Sequence, residues 1–137
     1  MLLWHGKVLA IFFLLSGPFG QIFQQFYNIK NGGKMEFFCN YIWEKGLRDK
    51  NEDSLCIRQV NRDGTKYLLA VVCDGIGGLE AGEHASSFVV NSMLECFKKM
   101  VRRPGKLSGR SICNTVKRQI YSCHMQLQRY GKELGIR

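Results

Sequence analysis

Three carboxylates have neighbours that could give them chemistry: Glu52, Asp53 and Asp74. Asp74 ends an apolar run and opens a glycine turn in "VVCDGIGGLEAGEHAS", residues 71–86. Glycine-rich turns usually cradle an anion, so a negative charge at the mouth of one needs a reason. A dinucleotide fingerprint fails, because counting G-x-G-x-x-G from Gly75 puts Glu80 at the third glycine. The Gly-Lys-Ser/Thr ending of a phosphate-binding loop is absent as well. A bound cation removes the conflict. Asp74 at a strand end can ligate a hard divalent ion, and Gly75, with no side chain in the way, can turn its carbonyl toward the same ion.

One carboxylate does not hold a metal. The partners available are Glu52 and Asp53 in "RDKNEDS", residues 48–54. Adjacent residues on an extended chain face opposite ways, so at most one ligates directly unless the backbone bends, the other acting through water. If the strand starting at Ser54 pairs antiparallel with the strand ending at Cys73, the acids meet at one end of the pair. Taken alone, Glu-Asp in a polar loop reads as solvated surface, and only this convergence argues otherwise.

The elements that would position these residues are legible in outline. "NRDGT", residues 61–65, carries Asp63-Gly64, a hairpin signal between a β-rich segment (54–60) and an almost wholly apolar one (66–73). A further β-rich segment covers residues 37–44. Apolar residues then recur at helical spacing through Ala81, Ala85, Phe88, Val89, Met93, Cys96, Phe97 and Met100, until "RRPG" at 102–105 ends the pattern. Ser108 reads as the N-cap of a second helix with the stripe Ile112, Val116, Ile120, Cys123, Leu127 and Tyr130. Strands followed by a helical pair argue an α+β fold with an antiparallel sheet. Three strands and two helices cover one sheet face at best, leaving the other open.

Net charge is +9, yet residues 1–34 hold three lysines and no acid, so all 11 acids lie from Glu36 onward. A basic chain with a local acidic nest suits a metal site and a phosphorylated partner. Scattered bases argue against nucleic acid, and the local run Lys98, Lys99, Arg102 and Arg103 reads as a solvated helix end. The six cysteines form no C-x-x-C pair, which reads as reduced thiols in a reducing, cytoplasmic setting. Residues 1–34 form an apolar leader set off by "KNGGK", residues 30–34. Its run "VLAIFFLL" is short for a membrane span, which takes about 20 residues. A signal segment, a membrane anchor and a true start at Met35 are the readings open; membrane contact is expected only through this leader.

"GLRDKNEDS" followed by "LLAVVCDGIGGLEAGEHAS" resembles the metal-dependent serine/threonine protein phosphatases of the 2C class, in their bacterial form. That family has an arginine three residues before Asn-Glu-Asp, an apolar strand into Asp-Gly-x-Gly-Gly, then Ala-Gly-Glu and Ala-Ser opening a helix. The resemblance implies that Asp74 bridges two Mg²⁺ or Mn²⁺ ions, with the Gly75 carbonyl on one of them. It implies that Glu52 binds the metal site directly or through water, that Asp53 supports the hydrated site, and that Arg48 holds the substrate phosphate. The implied reaction is attack on a phosphoserine or phosphothreonine of a protein substrate by metal-activated water, without a phosphoenzyme. The implied fold is an antiparallel β-sandwich flanked by helices, in α-β-β-α layers.

Two departures qualify the resemblance. Ile76 stands where many eukaryotic relatives have a histidine able to protonate the leaving group. The family's Gly-Thr-Thr strand, second Asp-Gly and late Asp-Asn do not occur, so the match covers about the first half of a phosphatase domain. Residues 35–137 are therefore expected to be the N-terminal part of such a domain, incomplete and weak or inactive alone. A non-catalytic module of the same descent, binding a phosphoprotein or other partner, is the alternative. Cys-x₅-Arg, the mark of thiol phosphatases, occurs three times (Cys56, Cys96, Cys123) but never in a glycine-rich loop.

Overall fold

The computed structural model of the chain describes residues 2–5, 8–13, 23–31, 34–42, 51–75, 80–133 and 135. The fold is α+β. Strands β1 (Leu2–His5), β2 (Val8–Phe13), β3 (Phe23–Asn31), β4 (Lys34–Ile42), β5 (Ser54–Arg62) and β6 (Thr65–Cys73) precede helices α1 (Glu80–Arg102) and α2 (Gly109–Glu133). A four-stranded sheet runs β1-β2-β6-β5, and β3 and β4 form a separate antiparallel pair.

The hairpin signal is realised. β5 and β6 pair antiparallel from Ser54↔Cys73 to Arg62↔Thr65. Asp63 and Gly64 both have positive φ, 50° and 72°, the backbone that a two-residue turn needs to match the twist of its strands.

Two expectations are corrected. The sheet is not wholly antiparallel, because β2 lies parallel to β6 in register from Val8↔Leu68 to Phe13↔Cys73. β2 comes from the apolar run read as a leader. A run of eight is too short for a bilayer but within the ordinary length of a strand. β4 spans residues 34 and 35, its Lys34 pairing with Asn31 of β3. The second correction concerns the open sheet face. Leu69, Val71 and Cys73 point toward the helices and join the core with Val90, Met93, Phe97, Met100, Val101, Ile112 and Val116. Leu68, Ala70 and Val72 point the other way, and they too are buried, at 2%, 2% and 9% exposure.

The helices follow the expected pattern, with a shifted ridge on α1. Met93, Phe97 and Met100 are buried as expected, whereas Val90 and Val101 replace Ala85 and Cys96 at the centre of the contact. The rotation follows from Ser86, a buried polar residue that an apolar count passes over. Holding Ser86 against β5 brings residues four and seven positions later, Val90 and Met93, onto the same face. Ser108 caps α2, its Oγ accepting from the Ser111 amide at 3.2 Å. Burial on α2 includes Ile112, Val116 and Cys123 but fades to 43% exposure at Tyr130. No helix among the described residues is long and apolar enough to cross a membrane.

Cys56, Cys73, Cys96, Cys113 and Cys123 are free thiols. Burial pushes the Cys73 thiol up to about 12, with the neighbouring Cys123 adding to the shift. An unfolded thiol ionises near 8.5. The folded pKa is the higher one, so this contribution to stability is complete below about pH 8.5 and is lost as pH rises toward 12. The denaturation midpoint is therefore expected to fall between about pH 9 and 11, less steeply in Cys73→Ala. Iodoacetamide at pH 9 should label Cys73 far more slowly in the folded chain than in the unfolded one.

Candidate functional site

The site is set by the register of one hairpin. Ser54 pairs with Cys73, so Asp53 and Asp74 lie just beyond the ends of adjacent strands, with Glu52 and Gly75 next. A Cβ placed on Gly75 would meet the Glu52 carbonyl oxygen at 2.5 Å, the Gly82 carbonyl oxygen at 2.7 Å and the Glu52 Cβ at 2.9 Å. Three segments therefore touch at this point: the approach to β5, the exit of β6 and the first turn of α1. Only glycine fits between them.

Serine hydroxyls tie the junction. Ser86 Oγ is 2.5 Å from the Glu52 carbonyl and 3.1 Å from the Glu83 carbonyl, either of which accepts its proton. Ser54 Oγ lies 2.9 Å from Ser86 Oγ and 3.2 Å from Ser87 Oγ. Just upstream, the Asp53 amide donates to Asn51 Oδ1 at 2.9 Å, an Asx turn that bends the chain before β5 begins. The bend matters for the acids. Glu52 and Asp53 are both buried, at 8% and 6% exposure, rather than one inside and one outside as a straight strand requires. Asp74 is half-buried beside them.

Glu52, Asp53, Asp74 and Gly75 are thus placed at one end of the β5–β6 hairpin. Arg48 and Ile76 lie outside the described residues. Sequence reasoning missed Asn51, Ser54, Gly82 and Ser86, which build the junction rather than supply its charge. A signal existed: Gly82 and Ser86 are small residues four apart, hence on one helix face, directly after the glycine turn.

Ser86→Ala removes the donor to a buried carbonyl, and such a loss costs about 1–3 kcal/mol. The variant should unfold at lower urea than wild type by an amount in that range. Ser54→Ala, at a half-buried position water can reach, should cost less.

The donors here are carboxylate and carbonyl oxygens, the type that hard divalent ions take. Among the described residues, no three His, Cys, Asp or Glu side chains form a group that could hold a metal by themselves. The donor type fits Mg²⁺ or Mn²⁺ while the described set is partial, which suits an ion keeping several waters more than a closed cage.

Thiol chemistry has no support here. Burial raises the Cys56 and Cys96 thiols despite nearby cations, Arg58 and Lys98 for the first, chiefly Arg103 for the second. Both sit on regular elements, β5 and α1. His84 is exposed on α1. No protein-family model, curated protein or solved structure matches the chain.

Proposed function

We propose that the chain carries a divalent-metal site of the kind found in serine/threonine protein phosphatases of the 2C class, serving hydrolysis of phosphoserine and phosphothreonine in proteins. The observation that carries the reading is the meeting of Glu52-Asp53 with Asp74-Gly75 beneath the first turn of α1, fixed by the Ser54↔Cys73 register and the Gly75 contact. The same residues carry the sequence resemblance. Burial of both faces of β6 supports a second layer across the sheet, as the family's sandwich has.

In this reading Asp74 and the Gly75 carbonyl would hold Mg²⁺ or Mn²⁺, and Glu52 and Asp53 would hold the ion or its waters. Divalent ions, when bound, acidify water for attack and offset charge on the phosphoryl oxygens. The chain's own part is placement. The Gly75 contact and the Ser86 bond fix where Asp74 and Glu52 stand, and Arg48, by its guanidinium fork, orients the phosphate.

Calorimetry with Mn²⁺ on the full chain tests the site. Weak binding is expected, with Kd of about 1 mM, or about −4 kcal/mol, because the described donor set is partial. Asp74→Asn should abolish it. Heat that persists unchanged in Asp74→Asn, or no Mn²⁺ binding in wild type, would remove the metal site.

A further inference from the structure

A second polar site lies away from the carboxylates. α1 and α2 enclose an open groove of about 710 Å³ whose lining includes Ser92, Cys96, Lys99, Arg103, Thr115 and Arg118. Lys99 comes from the last turn of α1 and Arg103 from the residue just after it, and Arg118 faces them from α2. Among the described residues Lys99, Arg103 and Arg118 form no ion pair with a carboxylate. Glu95, the acid at the groove, is engaged by Lys98 at 2.7 Å. Lys98 first, then Lys99 and Arg102, hold its carboxyl below the ordinary range. Cys96 reports the same field from inside: burial raises its thiol, while Arg103, Lys99 and Arg118 all pull it down.

We propose that this groove is a binding site for a small phosphoryl polyanion of the linear oligophosphate type. Two guanidinium groups and one ammonium from facing helices suit several phosphoryl oxygens at once. Ser92 and Thr115 add hydroxyl donors on the groove wall. The volume is that of a site for a multi-atom ligand rather than a lone ion. Among the described residues no aromatic side chain lines it, so none of them stacks a base, and the phosphoryl chain is the recognised part. Lys99 is about 28 Å along α1 from Glu80, at 1.5 Å per residue, so the groove is distinct from the Asp74 site and does not rest on the phosphatase reading.

The test uses the full chain with EDTA present, so that neither the Asp74 site nor chelation contributes. Tripolyphosphate should bind at least tenfold more tightly than inorganic phosphate, and it should slow iodoacetamide labelling of Cys96 with little effect on Cys56. Each of Lys99→Gln, Arg103→Gln and Arg118→Gln should weaken binding about tenfold, the size of a lost charge-assisted bond. Lys132→Gln, at the end of α2, should change it less than twofold. Equal weakening in all four variants would reduce the effect to the chain's net charge and overturn the site. So would labelling of Cys96 indifferent to tripolyphosphate, or phosphate binding as tightly as tripolyphosphate.

Discussion

Gly75→Ala is expected to lower folding stability by about 3 kcal/mol, the upper part of the range for overpacking a close contact. Two of the three atoms its Cβ would strike are backbone carbonyl oxygens, at 2.5 and 2.7 Å. Neither can rotate away as a side-chain tip would. Relief requires moving either the Glu52 segment or the first turn of α1, and both are bound to Ser86 through the Glu52 and Glu83 carbonyls. The same movement would displace Asp74, so Mn²⁺ binding should fall with stability. Gly64→Ala supplies the comparison. Gly64 has a positive φ but nothing within 4 Å of its Cβ position, leaving only left-handed strain of about 1–2 kcal/mol. Urea midpoints that ranked the two substitutions equally would mean that the three segments do not touch as described.

How far this junction could be read from the chain depended on whether each part declares itself locally. Asp63-Gly64 fixed one hairpin, and the hairpin fixed which acids meet, because register carries a turn signal nine residues along each strand. Helix extents were readable from spacing, Ser108 and "RRPG". The placement of β2 was not. A continuous apolar run has no alternation to identify it as a strand, and its partner β6 is some 60 residues away in sequence, so no local pattern encodes the pairing. The bend before β5 escaped for a different reason. Asn51 was noted only as part of a motif, yet its side chain accepts from the Asp53 amide and turns the chain so that both acids are buried. The basic run at Lys98–Arg103 looked like a solvated helix end. Only packing against α2 shows that Lys99 and Arg103 share a groove with Arg118.

Phosphatase chemistry is expected to need more carboxylate than the described site holds, and that sets the last expected result. Two divalent ions bring four positive charges. Glu52, Asp53 and Asp74 offset three at most, and no group of three described side chains forms a metal site by itself. A poorly neutralised pair binds in one position or leaves, and a lone ion cannot both activate water and clamp the phosphoryl group as a pair does. With Mn²⁺, the chain alone should therefore hydrolyse p-nitrophenyl phosphate or a phosphothreonine peptide no faster than the buffer control. Fused to the C-terminal half of a 2C-class phosphatase domain, which brings the Asp-Gly and Asp-Asn carboxylates, it should turn over. Asp74→Ala in that fusion should then cost about 100-fold to 1,000-fold in kcat, the scale of losing one preorganised electrostatic group, and Arg48→Ala should chiefly raise KM. A fusion that folds and binds Mn²⁺ but stays inert would leave the non-catalytic module as the better account. Rapid metal-dependent turnover by the unfused monomer would instead mean that Glu52, Asp53 and Asp74 suffice for the metal pair.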